Sequence, residues 1–324
     1  MKDKTYVFSS LIIFICLFIL LDIVIWKIPP MRYFDEEYPY WKEQKDYITE
    51  GGKNNEILFM GDSVIKVGIL PEIISEKSYN IAIGGTTPVE MYYSLNAYLK
   101  NNEPPKKIFM AFSPIHYSHL EWYRTRTVYF HYLTFDEMME AENIILKDDD
   151  LFFYEKPGLL WDDIECFLRF PNKYYLTIRN SKLKRNIENE EKYLSAREAQ
   201  GRMFFPPVLN WELKYKENEY VTKGFQKRKS IDYYLKQILT LAKANNIEVF
   251  IIQMPINKIT NESFIESGYS ENFTNYMEEL SRETDINIEI NLPIYDTKLF
   301  DDYMHLSKKG AEIYTKNLKE KYNL

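Results

Sequence analysis

The chain has 324 residues, 45% hydrophobic and 27% charged, with a net charge of −7. That apolar content, with 27 tyrosines and 20 phenylalanines, excludes a disordered chain. The acidic balance argues against a nucleic-acid binder, which would carry a basic patch, and the length suits one α/β domain with a large insertion.

Residues 7–26 read VFSSLIIFICLFILLDIVIW. A run of about twenty residues, apolar on all faces, is long enough to cross a bilayer as a helix. Lys2 and Lys4 precede it, and Lys27-Ile28-Pro29-Pro30 follows with no small-residue cleavage site. The expectation is an uncleaved signal anchor over residues 1–30, with the rest of the chain outside the cytoplasm. Of the two cysteines, Cys16 lies in this run and Cys166 far beyond it, so no disulfide is expected.

Residues 31–55 read as a juxtamembrane linker with a short amphipathic helix around 38–49, ended by Gly51-Gly52. The run 57–60 (ILFM) is a buried strand bounded by turn signals. A second strand, 79–83, closes on Gly84-Gly85. Thr86-Thr87-Pro88-Val89-Glu90 then opens a helix to about Asn101, with a threonine cap and a glutamate in the first turn. A third strand covers 108–112. From about 114 to 224 no strand pattern is visible, and the charged stretch 182–197 reads as helix. This is expected to be a mostly helical insertion. An amphipathic helix over 224–246, a fourth strand at 249–252, a helix at 269–283, a last strand candidate within 286–294 and a helix over 307–322 capped by Ser307 complete the chain.

Strands alternating with helices imply a parallel sheet covered on both faces. In such sheets, sites form beyond the carboxyl ends of the strands. Two of those places carry matched chemistry. Ser63 follows the first strand in Gly61-Asp62-Ser63. Asp302 and His305, three residues apart, precede the final helix in "DDYMHLSKKG". A serine nucleophile needs a base, and the base needs a partner that fixes its tautomer. The Ser63 and Gly85 amides are candidate donors to an oxyanion. Asp62 is expected to bond local backbone amides. The four histidines form no zinc-protease pattern, and no metal or cofactor is expected.

"GDS" after the first strand, "YNIAIGGTT" around the second and "DDYMHLSKKGAEIY" near the end resemble blocks I, II and V of the SGNH (GDSL) hydrolase superfamily. The resemblance implies a three-layer α/β/α flavodoxin-like sandwich over 56–324. It also implies a catalytic Ser63, Asp302 and His305, and the block II glycine at Gly85. It does not cover the insertion. The family's third block carries an asparagine that completes the oxyanion hole. Here the sequence is Phe112-Ser113-Pro114-Ile115-His116, so either Ser113 or His116 substitutes, or the hole has two donors.

An anchor followed by these blocks is similar in plan to membrane-anchored proteins of alginate O-acetylation and teichoic-acid D-alanylation. That resemblance implies an acyltransferase or esterase acting on acyl groups, acetyl by expectation, of a cell-surface glycan. It also implies a membrane-bound O-acyltransferase as partner. His116, Arg124 and Arg126, just past the third strand, are candidate substrate-binding residues; Trp122, Trp161 and Trp211 either stack on sugars or pack in the core. The alternative is a non-catalytic scaffold that assists the membrane acyltransferase.

Overall fold

The computed structural model describes residues 2–148, 156–168, 177, 179, 183–211, 219–222 and 224–324. Among the described residues seven strands occur in chain order: β1 Ile57–Gly61, β2 Ser78–Asn80, β3 Lys107–Ala111, β4 Glu248–Ile251, β5 Ile256–Asn257, β6 Asn287–Ile288 and β7 Ile294–Tyr295. Five form one sheet in the order β2-β1-β3-β4-β6, every pair parallel. β5 and β7 form a separate parallel pair.

The near-continuous apolar strands follow from burial on both faces. All five residues of β1 are buried. Leu58 and Met60 join Ile108, Met110 and Ile251 in one core. Phe59 joins Phe109, Ala111 and Phe250 in another, as alternation along a strand requires. Trp41, Leu95, Leu235 and Phe273 close the first core from helices Tyr38–Thr49, Pro88–Asn101, Lys229–Ala244 and Tyr269–Glu283. Ile65, Ala311 and Tyr314 close the second from helices Ser63–Gly68 and Lys308–Tyr322. The chain is thus α/β with a five-stranded parallel sheet.

Helix Pro88–Asn101 starts as its sequence predicts. The Thr87 hydroxyl accepts the Val89 amide at 3.2 Å, and the Glu90 carboxylate accepts the Thr87 amide at 2.8 Å. Ser307 caps the last helix through the Gly310 amide. Helix Lys2–Lys27 carries the apolar segment Tyr6–Ile25, twenty residues of mean hydropathy 2.9, almost none of it buried. By length and composition it can cross a membrane.

Several expectations are corrected. Residues 31–55 are not a linker: Phe34 and Trp41 are buried to 1% exposure or less, and Asn189 donates from helix Leu183–Glu198 to the Met31 carbonyl. Aromatic residues spaced through a polar stretch hide this, because only their common partner, Phe130, reveals them as core. The helix expected from 224 starts at Lys229. The last strand candidate splits into β6 and β7, with Pro293 between them, where a missing N–H interrupts a ladder. The short helices Ser63–Gly68, Pro71–Ile74 and Lys258–Glu266 were not visible as periodicity. The insertion contributes helices Phe135–Asp148, Lys156–Leu168 and Leu183–Glu198, with no strand among its described residues. The rest of the expected insertion lies outside them. Neither Cys16 nor Cys166 forms a disulfide among the described residues.

Candidate active site

β1 delivers Ser63 to the carboxyl edge of the sheet. Its last residue, Gly61, has φ +142°, and a Cβ there would stand 1.7 Å from the Ala111 carbonyl oxygen on β3. Only glycine allows the two strand ends to close in this way. Asp62 then caps the helix that Ser63 begins, with Oδ1 accepting the Val64 amide at 3.0 Å. Asp62 therefore does bond a local amide, as expected, and it also reaches further. Its Oδ2 accepts the Ser113 amide at 2.8 Å and bonds His116 Nδ1.

Across the edge, Phe300 and Leu306 pair in an antiparallel bridge that closes the loop carrying Asp302 and His305. Asp302 Oδ1 accepts the Met304 amide at 2.8 Å and the His305 amide at 2.7 Å. Its Oδ2 lies 2.8 Å from His305 Nδ1, and His305 Nε2 lies 2.8 Å from Ser63 Oγ. Burial opposes the charge on Asp302, but His305 and the two amides outweigh it and hold the carboxyl below its usual range. An ionised carboxylate only accepts hydrogen bonds, so Nδ1 donates and Nε2 offers its lone pair to the Ser63 hydroxyl. The neighbouring Asp301 has the opposite environment: burial and the Asp302 charge raise its pKa. The three residues singled out for a relay are thus brought together, Ser63 being 242 positions from His305.

Gly85 has φ +80°, and a Cβ there would meet Trp122 Cδ1 at 2.5 Å. Beside it, a Cβ on Gly84 would stand 3.6 Å from Ser63 Cβ and 3.7 Å from a Glu37 carboxylate oxygen. Neither the Ser63 nor the Gly85 amide finds an acceptor among the described residues. The Ser113 amide is committed to Asp62. His116 is 4% exposed, and its Nε2 has no acceptor among the described residues. Burial disfavours its cationic form, but the Asp62 carboxylate prevails and raises its pKa.

The candidate binding residues separate. Arg126 stacks 4.3 Å from the centre of the Trp122 ring and pairs with Glu37 at 3.3 Å, so it borders Gly84 and Gly85. Arg124 turns away to Asp163 and to Asp162, 3.3 Å distant, on helix Lys156–Leu168, and does not join the site. Trp211 is core, 7% exposed, whereas Trp161 is exposed at 67%.

Three neighbours escaped the sequence reading. Phe205 packs against His305 with ring centres 4.6 Å apart. Glu37 comes from the supposed linker, and burial raises its pKa against the pull of Arg126. Lys66, one turn after Ser63, is fully buried, its Nζ with no hydrogen-bond partner among the described residues. Burial pushes its pKa down to about 7, opposed by Glu43 and Glu37. A lysine close behind GDS in an otherwise apolar helix was the available signal. A cavity of about 470 Å³ opens beside Val64, Ser113 and Asp302.

One family model, of an uncharacterised family, matches residues 212–323, about a third of the chain, which include Asp302 and His305 but not Ser63. No curated protein matches the chain.

Proposed function

We propose that the chain is a membrane-anchored SGNH-type serine acyltransferase or esterase, with a flavodoxin-like three-layer core, acting on acyl groups of a cell-surface glycan outside the cytoplasm. The observation that carries this reading is the continuous relay Asp302–His305–Ser63, with 2.8 Å at each step. Ser63 Oγ attacks the acyl carbonyl while His305 Nε2 takes its proton, and Asp302 stabilises the imidazolium that forms. The tetrahedral intermediate collapses as His305 returns the proton to the departing oxygen. Water, or a sugar hydroxyl, then gives its proton to His305 and attacks the acyl-enzyme, restoring Ser63.

The developing oxyanion is received by the Ser63 and Gly85 amides. His116 supplies a third donor where the family's asparagine is missing: Asp62 occupies Nδ1 and favours the cation, so Nε2 carries a proton to donate. His116 rather than Ser113 is therefore the proposed third donor, the Ser113 amide being engaged by Asp62. Arg126, Glu37 and Trp122 border the glycine side of the serine and offer polar and stacking contacts to a sugar acceptor. A membrane-bound O-acyltransferase remains the expected partner by analogy of plan.

Replacing Ser63 by alanine should lower turnover of an acyl ester by roughly 10⁴-fold or more. It should also abolish labelling by a fluorophosphonate. Unchanged turnover would overturn the reading and leave the scaffold role.

A further inference from the structure

The 470 Å³ cavity is lined by neighbours of the relay, Val64, Ser113 and Asp302, and not by Gly84, Gly85 or Trp122. Val64, bonded to Ser63, lines it, as do Asp302 and Met304 from the loop that carries His305. Phe112 and Ile115 from the end of β3, with Met254 and Ile256 after β4, extend it. The wall is apolar in the main. Two of its polar members are already engaged: Asp302 with His305 and two amides, and Thr260 with the Tyr303 carbonyl at 3.1 Å. A ligand there needs little hydrogen bonding and gains chiefly by leaving water. Outside the cavity lining, next to Gly84 and Gly85, Glu37, Arg126 and Trp122 offer the reverse chemistry.

We infer that this cavity holds the hydrocarbon chain of the acyl group carried by Ser63, and that the group is a medium-length fatty acyl chain rather than acetyl. The inference rests on the proposed role of Ser63. Size decides between the two groups. Taking about 30 Å³ for each water-sized group, acetyl would fill roughly an eighth of the space. A chain of about 8 to 12 carbons would fill about half to three-quarters of it. Pockets that hold small ligands have this volume and this predominantly apolar lining. An acetyl donor would leave the cavity walls without contacts, and such a site would not distinguish acetyl from longer chains.

The test is a series of p-nitrophenyl esters from acetate to hexadecanoate, with the full chain in lipid nanodiscs. kcat/KM should climb with chain length, by up to roughly fourfold per methylene where burial is complete, to a maximum between 8 and 12 carbons. Ile256→Trp, which narrows the cavity, should shift that maximum to shorter esters. A profile highest at acetate, with turnover still lost in Ser63→Ala, would overturn the inference and leave the function standing. Turnover indifferent to Ser63→Ala would instead overturn the function. A probe independent of chemistry guards against either a silent enzyme or a misfolded variant. Dodecanoic acid bearing a diazirine, photolysed with the Ser63→Ala protein, should crosslink to peptides containing residues 112–115 or 254–256. Crosslinks confined to the N-terminal helix would count against the cavity.

Discussion

The Asp62 carboxylate accepts three hydrogen bonds around Ser63: from the amides of Val64 and Ser113 and from His116. The residue before the serine thus orders both the turn that presents the serine and the ring proposed as third oxyanion donor. Loss of one such donor typically costs 10²–10³ in turnover. His116→Ala should therefore lower kcat by about that factor with little change in KM, and His116→Asn should recover part of it. Equal losses in both variants would argue for a purely structural ring. Gly85→Ala faces a positive φ and the indole of Trp122, so it should lower turnover about as much, read on protein whose melting temperature shows it folded. The pH dependence has a definite sign. The folded pKa of Asp302 lies below its ordinary value, so the stability it contributes is present above about pH 4 and is lost as pH falls through the depressed value. Asp302→Asn should flatten the acid limb of a melting-temperature profile.

At the scale of elements, helix Ser63–Gly68 buries a lysine that its short length would not suggest. Burial disfavours the Lys66 cation, and only the pull of Glu43, which accepts from Tyr79, Gln44 and Arg197, and of Glu37 opposes it. Between about pH 7 and the ordinary lysine value near 10, the unfolded chain binds a proton that the folded one does not, so stability rises with pH in that window. Lys66→Met should raise the melting temperature more at pH 7 than at pH 10; an equal gain at both would show that Lys66 is charged in the fold. The sequence makes some elements plain and hides others for identifiable reasons. The long amphipathic helices and buried strands announce themselves by period and by caps such as Thr87 and Ser307. The relay was legible because GDS and D-x-x-H carry local spacing. Phe205 and Glu37 were not, since each acts only through partners remote in the chain, and no period marks a residue that crosses over a loop; Lys66 stood out only as a charge in an apolar helix.

For the molecule as a whole, the packing of residues 31–55 redraws the boundary of the folded unit. Phe34, Trp41 and Ile48 belong to the main core, and burying each such side chain is worth about 1.5–3 kcal/mol. A chain beginning at residue 29 should unfold cooperatively in a thermal melt. One beginning at residue 56 should show no cooperative transition. Retained cooperativity in the second would show that the segment merely decorates the domain.

That same segment sets a geometric limit. Glu37 stands ten residues beyond Lys27, the end of the apolar helix, yet a Cβ on Gly84 would lie 3.7 Å from its carboxylate and 3.6 Å from Ser63 Cβ. Even fully extended, ten residues span about 35 Å, and the turn at Pro30–Arg32 shortens that. With the helix anchored in a bilayer, the proposed nucleophile Ser63 would be held on a short leash close to the lipid surface. Its substrates would meet it by diffusion in two dimensions, and a polymer strand could be served only along the stretch that passes within that reach.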